Sequence, residues 1–183
     1  EFRRVLFRSG IPERAWINKI EASHFEECGA YLTIDNHRVD DFKAYVYRTD
    51  DCGESWVDLS ANLPDNGGSY VTIEDPVNPD LLFVGTEWGV WTTLDRGGSW
   101  ARLATGLPKV AVRGLVIHPR DGDLIAGTHG RSIWILDDIT PLRQNSVELR
   151  AEPRSEEHQS ELQSRRNIVC RPLLEQKKHP THY

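Results

Sequence analysis

One eight-residue pattern occurs twice in this chain and constrains its fold more than any other feature. Thr-x-Asp-x-Gly-x-Ser-Trp is found at Thr49–Trp56 and again at Thr93–Trp100, 44 residues later. A second pair of similar segments, Gly85–Trp91 and Gly127–Trp134, is offset by 42 residues. Repeats of about 40–50 residues that each hold four short strands are typical of the blades of a β-propeller.

Each repeat contains short segments with strand character, separated by Pro, Asn, Asp and Gly. In the middle repeat the predicted strands are Tyr70–Glu74, Leu81–Gly85, Val90–Leu94 and Ser99–Leu103. The last repeat has three predicted strands and ends at Pro141. We therefore predict an all-β partial propeller, without helices in its interior, whose three antiparallel blades lie at about 16–60, 66–104 and 110–140.

The repeated motif has a mechanical interpretation as a hairpin turn between the third and fourth strands of a blade. Asp51 and Asp95 can accept backbone N–H groups inside the turn, and a glycine can adopt the backbone angles that cost other residues energy. The tryptophan that follows can bury its ring between sheets. The residues assigned this structural role are Thr49, Asp51, Gly53, Ser55, Trp56, Thr93, Asp95, Gly97, Ser99 and Trp100.

These residues resemble the Asp-box (bacterial neuraminidase repeat) propellers. More specifically, they resemble the sortilin-like, VPS10-type propeller of large bacterial proteins labelled glycosyl hydrolase. It covers about 130 residues and rests on both motifs and on Trp16–Ser23, Ala30–Tyr31, Asp40–Lys43 and Thr128–Asp138, the last resembling a closing blade. It implies that the Asp boxes are structural, and that the partners of this chain are further blades of a larger protein. Without those blades, the fragment would expose two apolar blade faces and would be poorly stable alone.

The ends of the chain resemble translated sequencing-library adapters. The segment 154–164 resembles one adapter and 4–9 resembles the opposite one. We therefore assign 1–9 and 154–183 to adapter sequence, 10–142 to the propeller and 143–153 to an exit segment; a natural charged tail is the alternative. Without the nine basic and five acidic residues of the ends, the chain keeps 13 basic and 23 acidic residues, a net charge of −10. Nucleic acid is therefore disfavoured as a partner.

The topology of a blade predicts one surface for ligand binding. Turns between the second and third strands share a face, opposite the motif turns. Charged groups with an exposed tryptophan on that face would suit a glycan or a protein ligand, while structural turns are the alternative. The candidate binding residues are His37, Arg38, Asp40, Asp41, Glu87, Trp88, His129 and Arg131.

No catalytic residue, metal ligand or cofactor is assigned from the sequence. Glycosidases need two carboxyls facing each other across about 5–10 Å, and neighbours on a strand point to opposite faces. The adjacent acidic pairs are therefore expected to be solvated turns: Asp40-Asp41, Asp50-Asp51, Glu74-Asp75 and Asp137-Asp138. The favoured function is a non-catalytic scaffold or binding module; the alternatives are part of a sialidase-like or xyloglucanase-like glycoside hydrolase and a sortilin-like peptide-binding module.

Cys28 and Cys52 indicate the cellular compartment in which the protein is found. Cys28 opens a predicted second strand and Cys52 follows the third, so antiparallel pairing brings them to the same end, and a disulfide between them is plausible. No apolar stretch is long enough to span a bilayer. The expected location is therefore secreted or periplasmic.

Overall fold

The chain forms three four-stranded antiparallel sheets, each built from consecutive hairpins. The computed structural model describes residues 11–12, 15–103, 106–144 and 170–172, the last three by backbone pairing alone. The predicted all-β propeller architecture is confirmed.

Each sheet is one blade, and its strands run from the inner edge outward in chain order. The first blade contains β1 (Trp16–Ala22), β2 (Ala30–Asp35), β3 (Tyr45–Thr49) and β4 (Val57–Asp58). The second contains β5 (Ser69–Glu74), β6 (Leu82–Thr86), β7 (Gly89–Thr93) and β8 (Ala101–Arg102). The third contains β9 (Val112–Ile117), β10 (Leu124–Thr128), β11 (Ile133–Leu136) and β12 (Cys170–Pro172).

The outer strand of the second blade is shorter than the alternation of the sequence predicts. It has two residues, β8, where Ser99–Leu103 is expected. The reason is that Ser99 is used by the preceding turn, where its N–H and hydroxyl bind the Asp95 carboxylate. Strand pairing begins only after that network ends.

Two single helical turns correct the prediction that the interior has no helix. A 3-10 turn spans His37–Val39, and a one-turn helix, α1, spans Thr140–Arg143. Pro141 lies in the first turn of α1, where its missing N–H costs no intrahelical hydrogen bond. The residue that ends the strand pattern therefore starts a helical turn.

Strand β12 supplies the outer strand that the third predicted blade lacks. It pairs antiparallel with β11, so that Trp134 lies opposite Pro172 and Leu136 opposite Cys170. The backbone groups along this part of β11 are thus paired within the chain. The segments 1–9, 154–169 and 173–183 lie outside the described residues, and their assignment to adapter sequence stays a prediction.

Two apolar layers join the blades. Between the first and second blades lie Tyr31, Ala44, Val46, Leu63, Leu82, Val84 and Trp100. Between the second and third lie, among others, Val71, Ile73, Phe83, Val112, Leu115, Leu124 and Leu136. Successive strand residues point to opposite faces, so each blade contributes alternate side chains to such a layer.

The outer faces of the first and third blades are covered to different extents. On the first blade, Leu32 and Ile34 are fully buried, with Ile11 packed against their cluster. On the third blade, Val116 is 60% exposed and Ile133 is also exposed. On the first blade, however, Ile17 and Ile20 of β1, which pair with Ile34 and Leu32, are 43% and 57% exposed, so the outer faces of both blades present apolar side chains.

Candidate functional site

The two motif hairpins have the same hydrogen-bond network. In the first, the Thr49 hydroxyl donates to Asp51 Oδ1 (2.8 Å), and the N–H and hydroxyl of Ser55 donate to the same carboxylate at 2.8 and 2.5 Å. Thr93, Asp95 and Ser99 repeat these contacts at 2.5, 2.8 and 2.6 Å. Both carboxylates are thus used within their own turns.

These hydrogen bonds favour the charged form of the motif carboxylates. Hydrogen bonds from Ser55 and Thr49 lower the pKa of Asp51 to about 2. Burial opposes ionisation of Asp95, but the hydrogen bonds from Ser99 and Thr93 outweigh it and lower its pKa. A carboxyl that is ionised at neutral pH cannot donate a proton there as a general acid.

The second motif also packs and hydrogen-bonds against the first blade. Trp100 is 3% exposed, and its indole N–H donates to the Leu59 carbonyl (2.7 Å). Asn62 brackets the Trp100 backbone, accepting its N–H and donating to its carbonyl, each at 2.8 Å. A Cβ on Gly97 would lie 2.9 Å from Leu59 Cδ1, at a φ of +96°. Only glycine therefore fits this close approach.

The adjacent acids Glu74 and Asp75 are not a solvated turn, contrary to expectation. Glu74 is buried and accepts the Tyr31 hydroxyl at 2.8 Å. Asp75 is fully buried and pairs with Arg143 of α1 at 2.7 Å. Both carboxylates have hydrogen-bond or ion-pair partners in distant segments of the chain. Their adjacency in the sequence does not reveal these partners.

The candidate binding turns lie at one end of the sheets. We call this end the loop face and define it by the β2–β3 loop (36–44), the β6–β7 turn (87–88) and the β10–β11 turn (129–132). Backbone hydrogen bonds tie these turns to the connections between blades: Gly67 N–H to Phe42 O (2.6 Å), Glu87 N–H to Gly68 O (3.1 Å) and His129 N–H to Ala111 O (2.8 Å).

On the first blade, two carboxylates hold the β2–β3 loop. Asp35, at the end of β2, lies 2.7 Å from Nδ1 of His37 and accepts the His37 N–H. Asp41 accepts the Tyr45 hydroxyl at 2.9 Å and the Lys43 N–H at 3.3 Å. Burial would raise the pKa of Asp41, but these hydrogen bonds lower it. Asp40, with a φ of 63°, ends the 3-10 turn of the loop.

Aromatic and basic side chains stand out from the same part of the loop face. The Arg38 guanidinium lies over the Trp16 ring, 4.1 Å from its centroid. Trp16 is 51% exposed and Phe42 is 50% exposed. Exposed aromatic and arginine side chains are the residue types that carry binding energy at interfaces.

On the second blade, Glu87 is joined to a tyrosine and an arginine. The Tyr70 hydroxyl donates to the Glu87 carboxylate, and Arg113 of the third blade lies over the Tyr70 ring, 4.3 Å from its centroid. Burial and then the hydrogen bond to Glu87 raise the pKa of Tyr70, so its hydroxyl stays protonated and remains a donor. Residues of two blades thus form one polar cluster.

Trp88 is fixed with its ring partly in solvent. Its indole N–H donates to the Asn66 carbonyl, and the side chain is 42% exposed. Gly67, with a φ of +137°, passes beneath it, and a Cβ there would lie 2.6 Å from Trp88 Cδ1. The close approach of this backbone lets the ring rest on the connection between blades.

On the third blade, the candidates His129 and Arg131 contact their surroundings through the backbone. Besides the bond to Ala111, the Arg131 carbonyl accepts the Trp134 indole N–H at 2.8 Å. Neither side chain joins the His37 or Glu87 contacts described above. The structure therefore places the predicted residues on one face but in separate groups.

Sequence reasoning missed Asp35, Tyr70 and Arg113. One signal was available: Tyr70 and Arg113 are 43 residues apart, so they occupy equivalent positions of the repeat. Arg113 is also a charge in the otherwise apolar segment Val112–Ile117. Asp35 carried no comparable signal, although its partner His37 lies only two residues away.

Cys28 and Cys52 form a disulfide bond, with Cα atoms 4.3 Å apart. The Cys52 N–H also donates to the Cys28 carbonyl at 3.0 Å. The bond lies at the end of the sheets opposite the loop face, where it joins the β1–β2 loop to the first motif hairpin. Such bonds persist in oxidising compartments.

Comparison with known proteins agrees with the fold. No family model matches the chain. Vacuolar protein sorting/targeting protein 10 of Colletotrichum graminicola is 35% identical over 81 residues, which is 43% of this chain and 5% of that protein. The chain is a β-propeller module, and the resemblance to BNR/VPS10-type propellers is confirmed.

Three solved structures support the same fold. The GH74 xyloglucanase from Xanthomonas campestris gives a TM-score of 0.50 at 14% identity, over 64% of this chain and 20% of that one. An ancestral GH74 enzyme gives 0.53 at 17%, over 65% and 16%. The Niastella koreensis GH74 enzyme gives 0.51 at 16%, over 67% and 21%. At these identities the likeness shows the fold alone, and this chain spans about a fifth or less of each structure.

No described helix is long and apolar enough to cross a membrane. Among the same residues, no group of three or more His, Cys, Asp or Glu side chains is arranged to hold a metal ion.

Proposed function

We propose that this chain is a non-catalytic β-propeller module of a larger secreted protein, and that it binds a glycan or protein ligand through its loop face. The observation that carries the proposal is the exposure of Phe42 and Trp88 on that face and of Trp16 at the adjoining end of β1. A large ring with one fixed edge and one open surface loses little side-chain entropy on binding. These rings are therefore the expected contact residues.

The electrostatics of five aspartates argue against a general-acid role for them. Hydrogen bonds lower the pKa of Asp41, Asp51, Asp95, Asp121 and Asp138, so these carboxylates are ionised at neutral pH. A glycosidase needs one carboxyl whose pKa is raised so that it can protonate the leaving oxygen. The disulfide supports the proposed oxidising, secreted location.

Binding to immobilised glycans tests the proposal, with the whole chain compared with Trp88→Ala and Phe42→Ala. We expect saturable binding that either variant weakens by about tenfold. Val77→Ala is the matched control, because Val77 is exposed but lies at the opposite end of the sheets. Binding that none of the variants changes would move the site off the loop face.

The hydrolase alternative is tested on the same preparation. Release of reducing sugar from xyloglucan, or of sialic acid from a sialylated oligosaccharide, is expected to be absent. Turnover that is lost in Glu87→Gln or Asp41→Asn would overturn the non-catalytic assignment.

A peptide-binding sorting module is the second candidate. The observation in its favour is the 35% identity to a protein named for vacuolar sorting and targeting. Saturable binding of peptides, but not of glycans, that is lost in Trp88→Ala would select it.

A further inference from the structure

The turn after the third strand of each blade is linked to the turn before the second strand. The link is made by a residue in the left-handed region of backbone space, at intervals of 44 and 42 residues. These residues, with their φ angles, are Cys52 (58°), Arg96 (55°) and Asp138 (53°). The N–H of each donates at 3.0 Å to the facing turn, respectively to the Cys28 carbonyl, the Asp80 carbonyl and the Asp123 carboxylate. The backbone link therefore belongs to the repeat.

The side chains at these positions reinforce the link in different ways. In the second blade, Nε of Arg96 lies 3.5 Å from the Asp80 carboxylate, which is 58% exposed. An ion pair so open to solvent contributes little stability. In the first blade, Cys28 and Cys52 are joined by a disulfide bond. Among the described residues, only the first blade thus has a link that thiol–disulfide exchange can break.

The β1–β2 loop (23–29) also holds a buried carboxylate of the second blade. Glu74 of β5 is 2% exposed. It accepts the Ser23 hydroxyl at 2.9 Å and the His24 N–H at 2.6 Å. The Tyr31 hydroxyl is a third donor from the first blade. Because a buried carboxylate is costly without its donors, this loop fastens the first blade to the second.

The disulfide and the Glu74 contacts are joined through the backbone of this short loop. Cys28 is followed by Gly29, whose carbonyl accepts the Ser23 N–H at 2.9 Å. A Cβ on Gly29 would lie 2.8 Å from the Ser23 Cβ, so the loop closes too tightly for a larger residue there. The restraint that the disulfide places on Cys28 therefore also acts on the residues that contact Glu74.

We propose that the Cys28–Cys52 bond is a redox-sensitive link between blades, and that its reduction releases the β1–β2 loop from Glu74. The reductant is a dithiol, which supplies both electrons. Cys52 is exposed, so one thiolate of the dithiol attacks its sulfur and Cys28 leaves as a thiolate. The second thiolate of the dithiol then displaces Cys52, the dithiol leaves as a disulfide, and the two cysteines take up the protons that it lost.

Amide hydrogen exchange of the whole chain, measured by NMR with and without dithiothreitol, tests the proposal. The third cysteine is replaced throughout (Cys170→Ser), so that the reductant acts on one bond only. We expect reduction to accelerate exchange of the His24 N–H, which Glu74 binds, at least tenfold. The Glu87 and His129 N–H groups at the loop face should change less than twofold.

Two double variants separate loss of the link from general destabilisation. Cys28→Ser/Cys52→Ser should reproduce the fast His24 exchange of the reduced chain without any reductant. Cys28→Asp/Cys52→Arg places the ion pair of the second blade at the same position. Its His24 exchange should ignore dithiothreitol and, at low ionic strength, be about two- to fivefold slower than in the serine variant. Should the reduced chain fail to fold, this comparison decides, and equal exchange in the two variants would overturn the link.

Two further results would count against the redox-sensitive link. Unchanged His24 exchange after reduction would overturn it, because the hydrogen bonds within the loop would then suffice to hold Glu74. Equal acceleration of His24, Glu87 and His129 in a chain that circular dichroism shows to be folded would also overturn it, since stability would be lost everywhere. Neither result bears on glycan or protein binding by the loop face, which Trp88→Ala tests separately.

Discussion

Replacing Trp100 tests how the blades are held together. Its ring lies in the apolar layer between the first and second blades, whereas Trp56, at the same position of the other motif, is only partly buried. Trp100→Ala removes the ring and its hydrogen bond to Leu59. Trp100→Phe keeps an aromatic ring but leaves the Leu59 carbonyl without the indole N–H.

The expected cost follows from burial. A tryptophan buries about 150–250 Å², which at about 25 cal/mol per Å² corresponds to roughly 4–6 kcal/mol. Measured Trp→Ala changes in cores cost about 3–5 kcal/mol, so we expect about 4 kcal/mol for Trp100→Ala. Loss of one buried hydrogen bond predicts about 1–2 kcal/mol for Trp100→Phe. Trp56→Ala should cost about 2 kcal/mol, because less of its surface is buried.

Urea unfolding followed by far-UV circular dichroism measures these differences. With a slope of about 2 kcal/mol per molar urea, Trp100→Ala should lower the midpoint by about 2 M and Trp100→Phe by less than 1 M. Should Trp100→Ala fail to fold, the comparison of Trp100→Phe with the parent chain still applies. Equal losses in Trp100→Ala and Trp56→Ala would refute the argument that the layer between blades distinguishes them.

Three further predictions concern the disulfide, the buried ion pair and the motif carboxylate. Reducing the Cys28–Cys52 bond should lower the free energy of unfolding by about 3.5 kcal/mol, the loop-closure value for a separation of 24 residues; urea unfolding with and without reductant measures it. Arg143→Ala should cost about 3 kcal/mol in the same assay, because it leaves the Asp75 carboxylate buried without its cation. The lowered pKa of Asp51, about 2, means that its stabilisation is complete above the unfolded value of about 3.9 and is lost as pH falls toward 2. In Asp51→Asn, the free energy of unfolding measured from pH 2 to 6 should therefore fall less steeply toward low pH than in the parent chain.

Each of these predictions has an opposing result. An unchanged midpoint in reductant would mean that the closed loop adds nothing to stability. Arg143→Ala without effect would show that the Val77 and Asn78 N–H groups, which also donate to Asp75, suffice for that carboxylate. If the free energy of unfolding falls equally toward low pH in Asp51→Asn and in the parent chain, the pH dependence belongs to other carboxyls.

The motif hairpins were predictable because their chemistry is local. Every atom in the Thr49, Asp51 and Ser55 network lies within seven consecutive residues. Turn preferences act over the same distance, and the 44-residue recurrence then predicts stacked blades. The blade order and the placement of the candidate turns on one face follow from that recurrence.

What the sequence left open depends on contacts between segments far apart in the chain. The choice between a solvated and a buried Asp75 depends on Arg143, 68 residues away, and the role of Tyr70 on Arg113. The cover over Leu32 on the outer face of the first blade likewise involves a separate segment. Such pairings are set by the register of packed strands, which a one-residue shift would change completely.

The sequence by itself therefore determined the repeating unit, its turns and the all-β class, since each depends on residues within a single hairpin or on a period. Tertiary structure alone decided which carboxylates are buried, which arginine stacks on which ring, and which apolar side chains of the outer blade faces are covered. The physical reason is that burial and ion pairing depend on contacts between blades. The two sides of each such contact come from segments that lie far apart in the sequence.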